Sequence, residues 1–155
     1  MTVEETLRIA LEAHEGQKDI DGKPAILHPL AVGLMGNDDI EIKAGFLHDV
    51  VEDSSVTIDD LKARGVEEEV LDIVRLLTRD KTADYSGYVR SIAGSGNASA
   101  INVKINDLKH NLARGRRSFI KAKENNDTPK MERLVHISAK HEKALEMLGI
   151  FHPAD

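Results

Sequence analysis

Cysteine is absent from the 155 residues. That excludes disulfides, thiolate metal sites and cysteine nucleophiles together, and it suits a reducing compartment, so a cytoplasmic location is expected. No apolar run approaches the roughly 20 residues that span a bilayer. The opening stretch, MTVEETLRIALEAHEG, is acidic and amphipathic where a signal peptide would be basic and then apolar. Positive charge is also short: 21 Lys and Arg stand against 27 Asp and Glu, for a net charge of −6. Such a chain is poorly suited to gripping nucleic acid by counterion release. It can still hold a small anion through a local basic patch or a metal. Strand alternation framed by turn residues is lacking, and so are internal repeats. What remains is an all-α domain without a membrane or nucleic-acid partner, and with homo-oligomerisation left open.

Helix signals fill the chain. Thr2 and Glu5 make a capping box ahead of Leu7, Ala10, Leu11 and His14 on one stripe. Gly16 and KDIDGKP then give a loop over 18–27, and a helix restarts near His28-Pro29. A continuous helix is expected over 38–53, with Ile40, Ala44, Leu47 and Val51 inward. Thr57 and Asp60 cap a short helix ending at Gly65. Val66, Val70, Ile73 and Leu77 mark another. Ile101, Ile105, Leu108 and Leu112 predict a helix over 97–114, and Thr128-Pro129 opens the last one, to about 148. Two further stretches read as loops, GSGNAS at 94–99 and GRRSFIKAKENND at 115–127. At 155 residues the whole is most simply one domain over 1–155.

The stretch FLHDVVEDSS, residues 46–55, gathers His48, Asp49, Glu52 and Asp53. In a helix Asp49 and Asp53 would face each other at i, i+4, where like charges repel. Either this is an ordinary acidic helix end, or a cation is held there. His28 stands at a helix mouth, and Asp107, inside the apolar pattern VKINDLKHNL, has Lys104 and Asn111 a turn away on either side. Each residue alone has a structural explanation, such as an ion pair between Asp107 and Lys104. His14 reads as packing, and His136, His141 and His152 as ordinary helix or tail residues. Together, two imidazoles and two carboxylates from three segments form a nitrogen–oxygen donor set for Mn²⁺, Fe²⁺, Zn²⁺ or Mg²⁺.

This H…HD…D arrangement in a helical chain resembles the HD superfamily of metal-dependent phosphohydrolases. HDVVED following AHEGQKDIDGKPAILHP, with VKINDLKHNL downstream, is similar to the hydrolase domain of the RelA/SpoT alarmone enzymes and to their small stand-alone hydrolases. The resemblance covers about residues 13–112. It implies a single-domain HD-type helical bundle that cleaves (p)ppGpp at the 3′-pyrophosphate, giving GDP or GTP and pyrophosphate. It also implies His28, His48, Asp49 and Asp107 as ligands of a divalent metal, usually Mn²⁺. Glu52 and Asp53 match the acidic pair that handles the attacking water, with Glu52 the first choice as general base. Lys18, Lys104 and Asn111 are expected to meet the nucleotide.

The chain departs from that pattern in places. The family's PYI is Pro24-Ala25-Ile26 here, and Asp19 stands where the long enzymes carry arginine. Another nucleotide or phosphate ester therefore stays open as substrate, as does a nucleotide-binding sensor without catalysis. The basic cluster Arg114, Arg116 and Arg117 either lines the pocket or favours the C-terminus of the Asp107 helix.

Overall fold

The computed structural model describes residues 1–149, so the expectation for His152 lies outside the described residues. Among these there are nine helices and no strand: α1 (Val3–Ala13), α2 (Leu27–Leu34), α3 (Asp39–Leu47), α4 (Val50–Asp53), α5 (Ile58–Ala63), α6 (Glu68–Leu77), α7 (Tyr85–Ala93), α8 (Ala98–Glu124) and α9 (Thr128–Met147). The all-α expectation holds. Several ends form where local chemistry places them. The Thr2–Glu5 capping box opens α1, a second one between Thr57 and Asp60 opens α5, and Gly65 follows α5 at φ 98°. No helix among the described residues is long and apolar enough to cross a membrane.

The main core joins Ile9, Leu47, Val50, Leu61, Leu71, Ile73, Val74, Ile92 and Val103, all at most 1% exposed. Truncating one such leucine to alanine costs about 2–5 kcal/mol, because the cavity left behind collapses only in part. At the crossing of α2 and α3 the backbones nearly touch. A Cβ added to Gly45 would lie 2.7 Å from Cα of Gly33, so this approach requires glycine. The same crossing brings His28, near the start of α2, towards His48, at the end of α3.

Two sequence expectations are corrected. The helix expected over 38–53 is broken: α3 stops at Leu47, the chain turns at His48 and Asp49, and α4 begins at Val50. The turn takes these two residues out of a shared helical register, which aims both at one point. The loop expected at 115–127 is mostly helix, since α8 runs unbroken to Glu124. Gly115 does not end it. A Cβ there would come 3.3 Å from Ser138 Oγ, so the glycine accommodates the close passage of α9. The stop comes later, with Asn125 as C-cap and Asn126 at φ 53°. Helix α7 has no counterpart in the sequence reading.

Candidate active site

Three elements converge. His28 comes from α2, His48 and Asp49 from the α3–α4 turn, and Asp107 from the middle of α8. One ligand atom each from His28, His48 and Asp49 lies within 4.8 Å of the others. Asp107 joins them, its Oδ1 standing 2.8 Å from Nε2 of His28 and 3.4 Å from Nε2 of His48. The Asp49 carboxylate is 3.2 Å from His48 Nε2 and 3.8 Å from His28 Nε2.

The fate of each imidazole nitrogen tests whether a cation fits. Nδ1 of His48 donates to the carbonyl of Gly45 at 2.6 Å, which leaves Nε2 to face the two carboxylates. That Nε2 is buried and has no hydrogen-bond partner. A buried polar atom left without one is costly. Here it faces the oxygens of two carboxylates, an arrangement in which a divalent ion would satisfy every party at once. The donor set therefore fits the metal.

Electrostatics points the same way. Burial pushes the His48 imidazole towards neutrality, but Asp49 and Asp107 outweigh it and hold its pKa well above the ordinary value. Burial lowers His28, in spite of Asp107. Burial would raise Asp107, yet Lys104 and the two histidines hold it well below the carboxylate range. The ammonium of Lys104 thus supplies, beside Asp107, positive charge of the kind that a metal would also supply.

On α8, Lys104, Asp107, Asn111 and Arg114 recur at spacings of three and four, one polar stripe facing the site. Nζ of Lys104 reaches Asp107 Oδ2 at 2.8 Å and lies 5.1 Å from the centre of the Tyr88 ring. Both amide atoms of Asn111 are engaged: Nδ2 donates to Asp107 Oδ1 at 3.0 Å, and Oδ1 accepts from Arg114 at 2.6 Å. The ion pair between Lys104 and Asp107 is real, and it belongs to the site.

A cavity of about 460 Å³ opens on this cluster, lined among others by His14, Lys18, His28, Asp49, Asp53 and Arg114. Its size suits a nucleotide-sized ligand. A groove of about 450 Å³ between α8 and α9, lined by Phe119, Ile120, Leu134 and Val135, holds none of these groups. Asp53 thus shares a cavity with two of the expected ligands. Burial first, then the charges of Asp49 and Glu52, raises its pKa. Glu52 is half-buried and accepts a hydrogen bond from the backbone N–H of Arg79 at 2.8 Å.

The loop over 18–25 forms one wall. Asp19 also lines the cavity, and its Oδ1 accepts from the N–H groups of Asp21 and Lys23, both at 2.9 Å, closing the turn. Asp21 in turn accepts from Ser118 and pairs with Lys130 at 3.0 Å, which anchors the loop to α8 and α9. Lys18 lines the cavity and is exposed.

Two groups escaped the sequence reading. His14, taken there as packing, is buried, but it also lines the cavity. Its Nδ1 lies 2.9 Å from Gln17 Oε1, and Gln17 donates at 2.8 Å to the Asp53 carbonyl. His110 stacks on His28, their Nδ1 atoms 2.7 Å apart.

No family model matches the chain. Over 116 residues it is 34% identical to a Synechocystis protein named probable guanosine-3′,5′-bis(diphosphate) 3′-pyrophosphohydrolase, a match covering 66% of the chain and 15% of that protein. A Borreliella burgdorferi protein named guanosine-3′,5′-bis(diphosphate) 3′-pyrophosphohydrolase is 31% identical over 121 residues, 68% of the chain and 18% of the relative. The chain thus spans less than a fifth of either relative. Among solved structures, one described as a metazoan ortholog of SpoT that hydrolyzes ppGpp superposes with a TM-score of 0.65 at 21% identity, covering 95% of both chains. The chain is therefore similar in sequence, and alike in fold, to RelA/SpoT-type HD hydrolase domains.

Proposed function

We propose that this chain is a metal-dependent (p)ppGpp 3′-pyrophosphohydrolase. The observation that carries the reading is the buried, unpartnered Nε2 of His48, turned towards the carboxylates of Asp49 and Asp107 at the edge of a nucleotide-sized cavity. His28, His48, Asp49 and Asp107 would hold the ion; the nitrogen–oxygen set suits Mn²⁺, Fe²⁺, Zn²⁺ or Mg²⁺, and the family resemblance favours Mn²⁺. A divalent ion bound there supplies Lewis acidity towards a phosphate oxygen and lowers the pKa of water.

The chain's own groups do the rest. Water attacks the phosphorus attached to the 3′ oxygen, and the bond between them breaks. The departing 3′ oxygen takes up a proton equivalent to the one removed from water, so the nucleotide leaves with a 3′ hydroxyl and the remainder as pyrophosphate. Asp53 accepts the proton of the attacking water, because it lines the cavity and its carboxyl has a raised affinity for protons. Glu52, fixed by the Arg79 N–H, orients that water. This assignment exchanges the two roles expected from sequence, on the ground of position. Lys18 and Lys104 contribute positive charge, the first at the cavity mouth and the second through Asp107.

Ala25 lines the cavity where the resembled family carries an aromatic residue, and this favours a second reading in which another nucleotide is cleaved. Both are tested by incubating Mn²⁺-loaded protein with a nucleotide panel that includes ppGpp, and identifying the products. Pyrophosphate with GDP from ppGpp is the expected result. Asp107→Ala should lose metal binding and product together, and a fully active Asp107→Ala would refute the site.

A further inference from the structure

Arg114 follows Asn111 on the site-facing stripe of α8 and lines the cavity together with His28, Asp49 and Asp53. It is half-buried, and among the described residues it forms no ion pair. Its hydrogen bond is the one from Nη2 to Asn111 Oδ1, at 2.6 Å. It does not serve the helix end either. α8 continues for ten more residues, and the basic groups of its last turn are Lys121 and Lys123.

Asp19, Asp49 and Asp53 line the same cavity, yet none of them pairs with this guanidinium, which keeps donors for an anionic ligand. The other cation on the cavity wall, Lys18, is exposed on a long flexible stem. Arg114 is different, because Asn111 fixes its plane. A guanidinium has five N–H donors in a rigid fork, matched to two oxygens of one phosphate, and the bond to Asn111 uses one of them. The same asparagine donates to Asp107, so one side chain aligns the guanidinium with an expected metal ligand.

We infer that Arg114 is a substrate-binding residue whose guanidinium, braced by Asn111, takes a phosphate group of the nucleotide in this cavity. The inference rests on the hydrolase reading for the word nucleotide. The chemistry it requires is only an oxyanion with two oxygens in one plane. Arg116 and Arg117, exposed on the same helix and absent from the cavity wall, have no such role.

The test compares native protein with Arg114→Met, Arg114→Lys and Arg116→Met, all loaded with Mn²⁺. For ppGpp cleavage, Arg114→Met should raise KM about tenfold or more, the scale of a lost charge-assisted bond. Its kcat should stay within a few-fold and its Mn²⁺ affinity should not change. Arg114→Lys should recover part of the loss, and Arg116→Met should match the native enzyme. Guanosine 3′-diphosphate, assayed in parallel, locates the contact. If the KM increase persists, the bound phosphate is at the 3′ end; if it vanishes, it is at the 5′ end. An unchanged KM in Arg114→Met, or an equal rise in Arg116→Met, overturns the inference. Failure of native protein to cleave ppGpp sinks the hydrolase reading instead. Calorimetry with inorganic pyrophosphate then decides about Arg114, and equal affinity for native and Arg114→Met overturns it.

Discussion

Nδ1 of His28 stands 2.7 Å from Nδ1 of His110, while Nε2 of the same ring stands 2.8 Å from Asp107. One proton must lie between the two Nδ1 atoms, and the carboxylate decides which ring owns it. With His28 neutral and no cation nearby, Nε2–H donates to Asp107, so His110 must donate to His28. When Nε2 gives its lone pair to a metal, the proton moves to Nδ1 of His28, and His110 must accept. A neutral imidazole can serve in both senses. Burial first, and then His28 and Arg114, hold the His110 pKa down at about 4, which keeps it neutral. Partners of this kind orient metal-ligating histidines and are worth about 10–100-fold in affinity. His110→Phe should therefore weaken Mn²⁺ binding by about tenfold or more in calorimetry. His110→Gln, which can donate or accept, should lose less. Equal affinity in His110→Phe and native protein would show that the contact is only packing.

Lys104 and Asp107 form a buried pair whose separation tests what the metal does for the fold. Lys104→Met leaves the Asp107 carboxylate inside the protein with only the imidazoles and Asn111 for company. Breaking one partner out of a buried pair costs about 3–5 kcal/mol. At about 2–4 °C per kcal/mol for a chain of this size, the metal-free variant should melt roughly 6–20 °C below native protein. Saturating Mn²⁺ should recover part of that difference, since a bound cation replaces the lost charge and binds only the folded state. A Tm in Lys104→Met that metal does not raise would mean that Asp107 is a structural anchor rather than a ligand.

What the sequence revealed and what it hid follow different physics. Local chemistry was legible: the capping boxes at Thr2 and Thr57, the glycine stop at Gly65, and the apolar periods of α6 and α9. Those signals act within a few residues. The breaks were misread where tertiary contacts override local preference. Gly115 reads as a helix stop until α9 is packed against it, and the turn at His48-Asp49 lies within an unbroken apolar period. The proposed ligand set was legible because each member is a polar residue beside apolar neighbours. His110 sits among other polar residues in LKHNLARGRR, and Arg114 within a basic cluster that reads equally as pocket wall or helix end, so nothing local singles either out. His110 stands out only once His28 of α2 is stacked on it, and Arg114 only once the cavity it lines has formed.

Asp53 gives a prediction whose sign is fixed by linkage. Its folded pKa is raised, by burial and then by Asp49 and Glu52. The folded state therefore holds this proton to higher pH than the unfolded chain does. Between the ordinary aspartate value and the raised one, folding takes up a proton, and stability falls as pH rises through that window. Asp53→Asn removes the penalty. Without metal, the variant should melt above native protein at neutral pH, and the gap should close as pH falls below the ordinary aspartate range, where both side chains are uncharged. The same substitution removes the proposed proton acceptor, so turnover of ppGpp should drop by about a hundredfold with Mn²⁺ still bound. Glu52→Gln is the companion variant, because its amide oxygen can still accept from the Arg79 N–H. If Asp53 takes the proton and Glu52 orients the water, Glu52→Gln should cost less in kcat than Asp53→Asn and should flatten the acidic limb of the pH–rate profile less. The reverse order would return the role of base to Glu52. A stabilised Asp53→Asn with native turnover would remove the acidic pair from the chemistry altogether.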